Sequence, residues 1–213
     1  MSKLALVIFD LDGTLVNAYP AIRRSFNFTM QKFAYPPQSM AVIRQAVGWG
    51  DENLLKPFVE FRDLRRALST YRRHHKKSLV QYARLFPGAR KILECLKNKG
   101  FKLAVASNRP TRFSWILIRY LGLEKYFDYV LCKDKLKYGK PHPQILHQIM
   151  QRLSVKPQES VYVGDMAIDA QAGKRARVKT VIVTTGSSKP SEIKKEKPYR
   201  IISKITELLK ILL

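Results

Sequence analysis

Asp10 and Asp12 stand two apart in Asp10-Leu11-Asp12-Gly13-Thr14, and Asp165 and Asp169 stand four apart behind Gly164. Ser107, Asn108 and Arg109 form a polar triplet, and Lys140 lies in Gly139-Lys140-Pro141. If the fold gathers these carboxylates, they repel one another unless a cation lies among them, and an oxygen-only donor set with water suits Mg²⁺. A phosphate group is the natural partner of such a cation. Ser107 and Lys140 then offer a hydroxyl donor and a fixed positive charge to the equatorial oxygens of a phosphoryl group in transfer. Of Asp10 and Asp12, one is spaced to attack phosphorus while the other handles the proton of the leaving group. Gly13 lets the backbone turn tightly and approach a ligand.

Apolar runs precede most of these residues. Leu4 to Phe9 is continuous and β-branched, as in a strand buried on both faces of a parallel sheet. Phe101 to Ala106, Tyr129 to Cys132, Val161 to Val163 and Thr180 to Thr184 repeat the pattern. They alternate with helical periodicity over Ala89 to Asn98, Thr111 to Leu121, Pro143 to Leu153 and Ile168 to Ala176. Alternation of this kind predicts an α/β fold, a Rossmann-like doubly wound parallel sheet, whose ligands bind beyond the carboxyl ends of the strands. The candidate residues follow those ends.

The segment from about Tyr19 to Leu85 interrupts the rhythm with helical stretches only, the last being Phe61 to Ala83. It predicts a helical subdomain, residues 17–86, inserted into a core of residues 1–16 and 87–213. The expected hinges are Leu15 to Ala18 and Phe86, Pro87 and Gly88. Lys189 to Lys197 is expected to be a Lys-rich loop. A short strand at Tyr199 to Ile202 and a helix from Ser203 are expected to end the core. Ile205, Leu208, Leu209 and Leu212 share one helix face, expected to pack on the sheet rather than form a dimer interface.

The formal charge of +24 is the one abnormal quantity, and it implies attraction to anions. The excess is spread over every part of the chain except the first motif, with no basic stripe interleaved by aromatic residues. It therefore predicts steering of small anionic substrates and only weak, salt-sensitive binding of nucleic acid. The run Arg72, Arg73, His74, His75, Lys76 and Lys77 is expected to be a solvated helix face, and His142 and His147 to be structural or surface groups. No apolar run approaches the ~20 residues of a membrane helix, and the first residues lack the pattern of a signal peptide, so a cytoplasmic location is the default. Cys95 and Cys132 lack CxxC spacing and are expected to be reduced.

Four motifs in order, FDLDGTLV at Phe9 to Val16, VASNRP at Val105 to Pro110, YGKPHP at Tyr138 to Pro143 and VGDMAIDAQAG at Val163 to Gly173, resemble the haloacid dehalogenase superfamily of aspartate-nucleophile phosphotransferases. The resemblance implies Asp10 as nucleophile, Asp12 as general acid and base, and Ser107 and Lys140 as phosphoryl ligands. It implies a magnesium ion held by Asp10, Asp165 and the Asp12 carbonyl, with Asp169 orienting Lys140 or a metal-bound water. Asn108 and Arg109 are expected to face the substrate, and Gly13 and Thr14 to support the turn. Asp at position 12 resembles the phosphatase branch. The insertion directly after the first motif resembles the cap of the phosphoglycolate phosphatase and β-phosphoglucomutase branch.

The function so implied is hydrolysis of a small phosphorylated metabolite, with phosphoglycolate the nearest candidate, by a monomer or homodimer. A sugar-phosphate phosphomutase is the enzymatic alternative. A basic nucleic-acid-binding or polynucleotide phosphatase protein of the same fold is the other. Two positions depart from the family pattern: Asn17 stands where an acidic residue is frequent, and Arg177 stands where the helix after Asp169 usually ends in Gly. A left-handed Arg177 costs on the order of 1 kcal/mol relative to Gly, which predicts that this helix ends differently.

Overall fold

The computed structural model describes residues 3–212. The first strand, β1 (Leu6–Phe9), is buried throughout, because Val7 and Phe9 point into one apolar cluster and Leu6 and Ile8 into another on the opposite face. After the first motif comes β2 (Val16–Asn17), then α1 (Tyr19–Lys32), α2 (Met40–Ala46), α3 (Asp51–Leu55) and α4 (Phe61–Tyr82). The chain returns through β3 (Arg84–Leu85), which pairs antiparallel with β2, Val16 opposite Leu85 and Asn17 opposite Arg84. The inserted helices thus leave and rejoin the core side by side.

Two of those helices form the body of the insert. Ile22, Phe26 and Met30 of α1 and Ala67, Tyr71, His75 and Leu79 of α4 are buried at four-residue intervals, one stripe on each helix.

The core continues with α5 (Ala89–Asn98), β4 (Lys102–Ser107), α6 (Thr111–Tyr120), β5 (Tyr129–Cys132), α7 (Gln144–Leu153), β6 (Ser160–Gly164), α8 (Ala167–Ala176), β7 (Lys179–Val183), α9 (Pro190–Lys195), β8 (Arg200–Ile202) and α10 (Leu209–Leu212). Among the described residues the larger sheet has the order β5-β4-β1-β6-β7-β8, with every pairing parallel. The chain runs outward from β1 through β4 and β5, then crosses to β6 on the other side. That reversal opens a crevice beyond the carboxyl ends of β1, β4 and β6. The expected α/β doubly wound sheet is the one observed.

Three local expectations differ from the structure. Lys189 to Lys197 is not a loop: Pro190 starts α9, and the Glu192 carboxylate accepts from the Lys189 N–H at 2.9 Å, closing its first turn. The C-terminal helix is instead a 3₁₀ turn, Ile205–Leu208, followed by α10, although Ile205 and Leu208 are buried on the core as expected. Arg177 does take the left-handed conformation, φ 59° and ψ 33°, and ends α8 there with its N–H on the carbonyls of Gly173 and Lys174. The helix thus ends in a left-handed residue that is not a glycine.

Among the described residues, no helix is long and apolar enough to cross a membrane.

Candidate active site

The carboxyl end of β1 sets the site. Asp10 continues the strand by donating its N–H to Val163 of β6 at 2.9 Å, after which the chain turns at Gly13, φ +82°. A side chain at Gly13 would be strained by that φ and would overlap the Asp165 carboxylate. Thr14, fully buried, donates its hydroxyl to Asp165 Oδ1 at 2.9 Å, tying the first motif to the fourth.

Asp165 and Asp169 flank the start of α8. Asp169 Oδ2 accepts the N–H groups of Asp165 at 3.1 Å and Met166 at 3.0 Å. Its Oδ1 accepts from Lys140 Nζ at 2.8 Å and from the Tyr162 hydroxyl at 2.6 Å. Both oxygens are thus engaged, and Asp169 fixes Lys140 rather than facing the cavity. Lys140 Nζ also donates to the Tyr162 oxygen at 3.0 Å and stands 3.0 Å from Asp10 Oδ1. That last approach is an ion pair without an aligned hydrogen bond, so the Asp10 oxygen keeps capacity for another partner.

Burial controls the charges here. It pushes the Asp10 carboxyl up to about 6, against the pull of Lys140 and with the help of Asp169 and Asp12. Burial also drives Asp165 well above the ordinary carboxyl range, reinforced by Asp169 and Asp10. For Lys140 burial disfavours the charge, but Asp10 and Asp169 outweigh it and the ammonium is held more firmly than usual.

The buried side-chain oxygens left without a hydrogen bond among the described residues include Asp10 Oδ1, Asp12 Oδ1 and Asp165 Oδ2. Asp10, Asp165 and Asp169 each bring one carboxylate oxygen within 4.8 Å of the others. Unpaired buried carboxylate oxygens are costly, and a hard divalent cation between Asp10 and Asp165 would satisfy them. The donor set, oxygen only, fits Mg²⁺ and does not resemble a soft-metal site.

Ser107 and Arg109 line the same cavity, at the end of β4. Ser107 Oγ accepts from the Arg109 N–H at 3.2 Å. Asn108 lines the cavity as well, but the polar atoms of its side chain are taken up elsewhere. Its amide donates to the carbonyls of Gly48 at 2.8 Å and Lys140 at 3.0 Å, and its Oδ1 accepts the Lys140 N–H at 2.8 Å. The Asn108 side chain is therefore a brace joining the insert, the Lys140 loop and β4, and it has little capacity left for a substrate.

Arg109 turns toward Asp12, with Nε at 2.7 Å and Nη2 at 2.6 Å from Oδ2. Its Nη1 meets Nε2 of His75, from α4, at 3.0 Å. The run 72–77 is therefore not wholly a solvated face, since His75 is buried against the cavity. The stripe Ala67, Tyr71, His75, Leu79 is the signal in the sequence that places His75 on the inner face. Burial and the neighbouring Arg109 hold its imidazole well below the ordinary histidine range, so it is neutral.

Further residues outside the motifs complete the site. Gly186, in the loop after β7, packs against Asp165, whose carboxylate a Cβ would overlap. Arg44 of α2 reaches from the insert to the carbonyls of Thr185 at 3.0 Å and Gly186 at 2.7 Å. With the Gly48–Asn108 and His75–Arg109 bonds, it draws the insert onto the core around a cavity of ≈ 60 Å³. An apolar rim of Ile22, Val47, Leu54, Phe113, Met166 and Ile168 surrounds the charged floor. Such a site can polarise and transfer a small anionic group away from bulk water.

The family described as haloacid dehalogenase-like hydrolase matches residues 7–183. The chain is 30% identical over 217 residues to the phosphoglycolate phosphatase of Pseudomonas putida, covering 96% of this chain and 78% of that one. It is 29% identical over 223 residues to the phosphoglycolate phosphatase of Haemophilus influenzae, covering 99% of each. Among solved structures, one described as a predicted phosphoglycolate phosphatase from Haemophilus somnus 129pt superposes with a TM-score of 0.94 at 27% identity over 100% of both chains.

Proposed function

The chain belongs to the haloacid dehalogenase-like hydrolase family, and on that premise we propose that it is a Mg²⁺-dependent phosphatase of small phosphate monoesters, phosphoglycolate foremost. The observation that carries this reading is the Asp10 carboxylate, enclosed at the end of β1 with Lys140 3.0 Å away and an oxygen left without a hydrogen bond.

Asp10 attacks phosphorus with a carboxylate oxygen, and the bond from phosphorus to the ester oxygen breaks. Asp12 gives that oxygen its proton, so an alcohol leaves and the phosphoryl group remains on Asp10. Asp12 then takes a proton from water, whose oxygen attacks phosphorus; inorganic phosphate departs and the Asp10 carboxylate is regenerated. Lys140 and Ser107 offset charge on the transferring oxygens, and Asp169 keeps Lys140 in place. Mg²⁺, held by Asp10, Asp165 and the Asp12 carbonyl, would neutralise charge on the phosphoryl oxygens.

Residues 17–86 act as a cap on the core of residues 1–16 and 87–213, with the β2–β3 pair as its hinge. Closure keeps bulk water off the charged floor while the phosphoryl group passes to Asp10, and the attacking water takes the place of the departed alcohol. The +24 charge draws small anions toward the crevice, and this reading keeps the cytoplasmic location expected above.

A panel of phosphate monoesters, each assayed with Mg²⁺ and with chelator, tests the proposal. Turnover that is highest on phosphoglycolate and lost with chelator is expected. Full activity after exhaustive metal removal, or turnover confined to polynucleotide ends, contradicts it.

A further inference from the structure

Among the residues lining the cavity, Arg109 is a cation that the phosphoryl clamp does not use. Lys140 is tied down beside Asp10 by Asp169 and Tyr162, whereas Arg109 lies over Asp12 and reaches the insert. The direction of its bond to His75 follows from chemistry. A guanidinium has donors only, so Nε2 of His75 accepts and the ring proton sits on Nδ1. Ser25 agrees with this tautomer: its hydroxyl donates to the Ala21 carbonyl at 3.0 Å, leaving lone pairs for the His75 Nδ1–H at 3.1 Å. Tyr71 stacks on the ring at 4.9 Å and Phe113 meets its edge at 5.3 Å. His75 is a neutral acceptor that cannot easily rotate, and it aims one end of the Arg109 fork.

The opposite edge of that fork, Nε and Nη2, has the shape that takes a carboxylate through two parallel bonds. Asp12 fills it imperfectly. Both nitrogens converge on Oδ2, and Oδ1 has no hydrogen bond. A free carboxylate offering both oxygens would match the fork better.

We propose that Arg109, aimed by His75, reads a carboxylate carried by the substrate two bonds from the ester oxygen, and that Asp12 holds the fork only until that carboxylate displaces it. The inference rests on the phosphatase reading above and names its substrate class: short phosphate esters of 2-hydroxy acids. Asp12 lies next to the fork, so a substrate carboxylate on Arg109 puts the ester oxygen within reach of the released Asp12. The correct substrate thereby frees Asp12 from its ion pair to carry a proton from solvent to the ester oxygen, and an ester lacking the carboxylate does not. Because His75 comes from the insert, the fork is fully aimed only when the insert is seated on the core, which couples recognition to closure. The cavity of ≈ 60 Å³ restricts the acid to a short one.

The test compares kcat/KM for phosphoglycolate and for ethyl phosphate, which carries a methyl group where the other carries the carboxylate. The parent enzyme is expected to favour phosphoglycolate by at least ~10²-fold. Arg109→Met and Arg109→Lys are expected to remove most of that ratio, the second because it keeps the charge but not the fork. His75→Ala is expected to lower the ratio by roughly 10-fold or more, chiefly through a raised KM for phosphoglycolate. His75→Gln, whose Oε1 can accept from Arg109, is expected to restore it. Folding of each variant is checked by thermal melting, and if Arg109→Met fails to fold, the parent ratio and Arg109→Lys decide. Comparable turnover of both esters by the parent, or an unchanged ratio in a folded Arg109 variant, overturns the inference while leaving the hydrolase reading intact. Parental behaviour of both His75 variants overturns the aiming role. Turnover of neither ester by the parent overturns the hydrolase reading, and the inference with it.

Discussion

Lys140 and Asp169 form an ion pair at 2.8 Å that is closed to solvent on both sides, and Asp169 has no oxygen left for anything else. Its Oδ1 accepts from Lys140 and Tyr162, and its Oδ2 from two backbone N–H groups at the start of α8. An asparagine here must turn its NH₂ toward one of those donor pairs, whichever way the amide is oriented. Asp169→Asn should therefore cost ~3–5 kcal/mol. For a chain of this length the melting temperature should fall by roughly 6–20 °C, and activity should drop as Lys140 loses its anchor. Urea unfolding of the variant is the check. A change within about 1 kcal/mol would show that this pair does not hold the site together.

A second prediction concerns stability away from the chemistry. Arg177 ends α8 at φ 59°, a region that costs a side chain ~1–2 kcal/mol. Arg177→Gly relieves that cost, offset in part by the greater freedom of glycine in the unfolded chain. A rise in melting temperature of roughly 2–4 °C with unchanged turnover is expected from differential scanning calorimetry. A fall would mean that the Arg177 side chain contributes more than its backbone costs.

Metal and pH should act on stability together. In the metal-free fold the Asp10 carboxyl is pushed up to about 6 from 3.8, chiefly by burial. Between those two values the folded protein holds a proton that the unfolded chain has lost, so stability falls as pH rises through the window. Above pH 6 the buried charge stands at full cost, and a cation between Asp10 and Asp165 offsets it. Mg²⁺ should accordingly raise the melting temperature at pH 7.5, and the increment should shrink below pH 6, where protons compete for the same oxygen. Melting curves across pH 5 to 8, with Mg²⁺ and with chelator, measure this. An increment that does not change with pH contradicts the placement of the cation on Asp10.

Much of this architecture is legible in the sequence because the chemistry sits at strand ends. Strands buried on both faces read as unbroken apolar runs, and the polar residues that follow them, Asp10, Ser107 and Asp165, fall on the crevice without further assumption. Side-chain direction is less accessible. Asn108 sits beside Ser107, yet its amide turns to Gly48 and Lys140, partners that only the folded insert and loop supply. His75 is masked by four cationic residues around it, and only its four-residue spacing from Tyr71 and Leu79 marks it as inward-facing. Gly186 follows β7 as the other candidate residues follow their strands, but a glycine in a polar loop carries no chemical signature until Asp165 is placed against it. The helix α9 is hidden by its lysines, although Pro190 and Glu192 carry the start signal.

The central claim is that Asp10 bonds to phosphorus and Asp12 moves the protons, and the two duties separate with an activated aryl phosphate. A good leaving group hardly needs the first proton, while hydrolysis of the aspartyl-phosphate still needs the second, each contribution being worth ~10²- to 10⁴-fold. Mass spectrometry of rapidly quenched Asp12→Ala enzyme with Mg²⁺ should therefore find phosphate accumulated on Asp10 with little steady-state turnover, and Asp10→Asn should carry no label. Turnover of Asp12→Ala at the parental rate, or phosphate on any residue other than Asp10, would contradict the account.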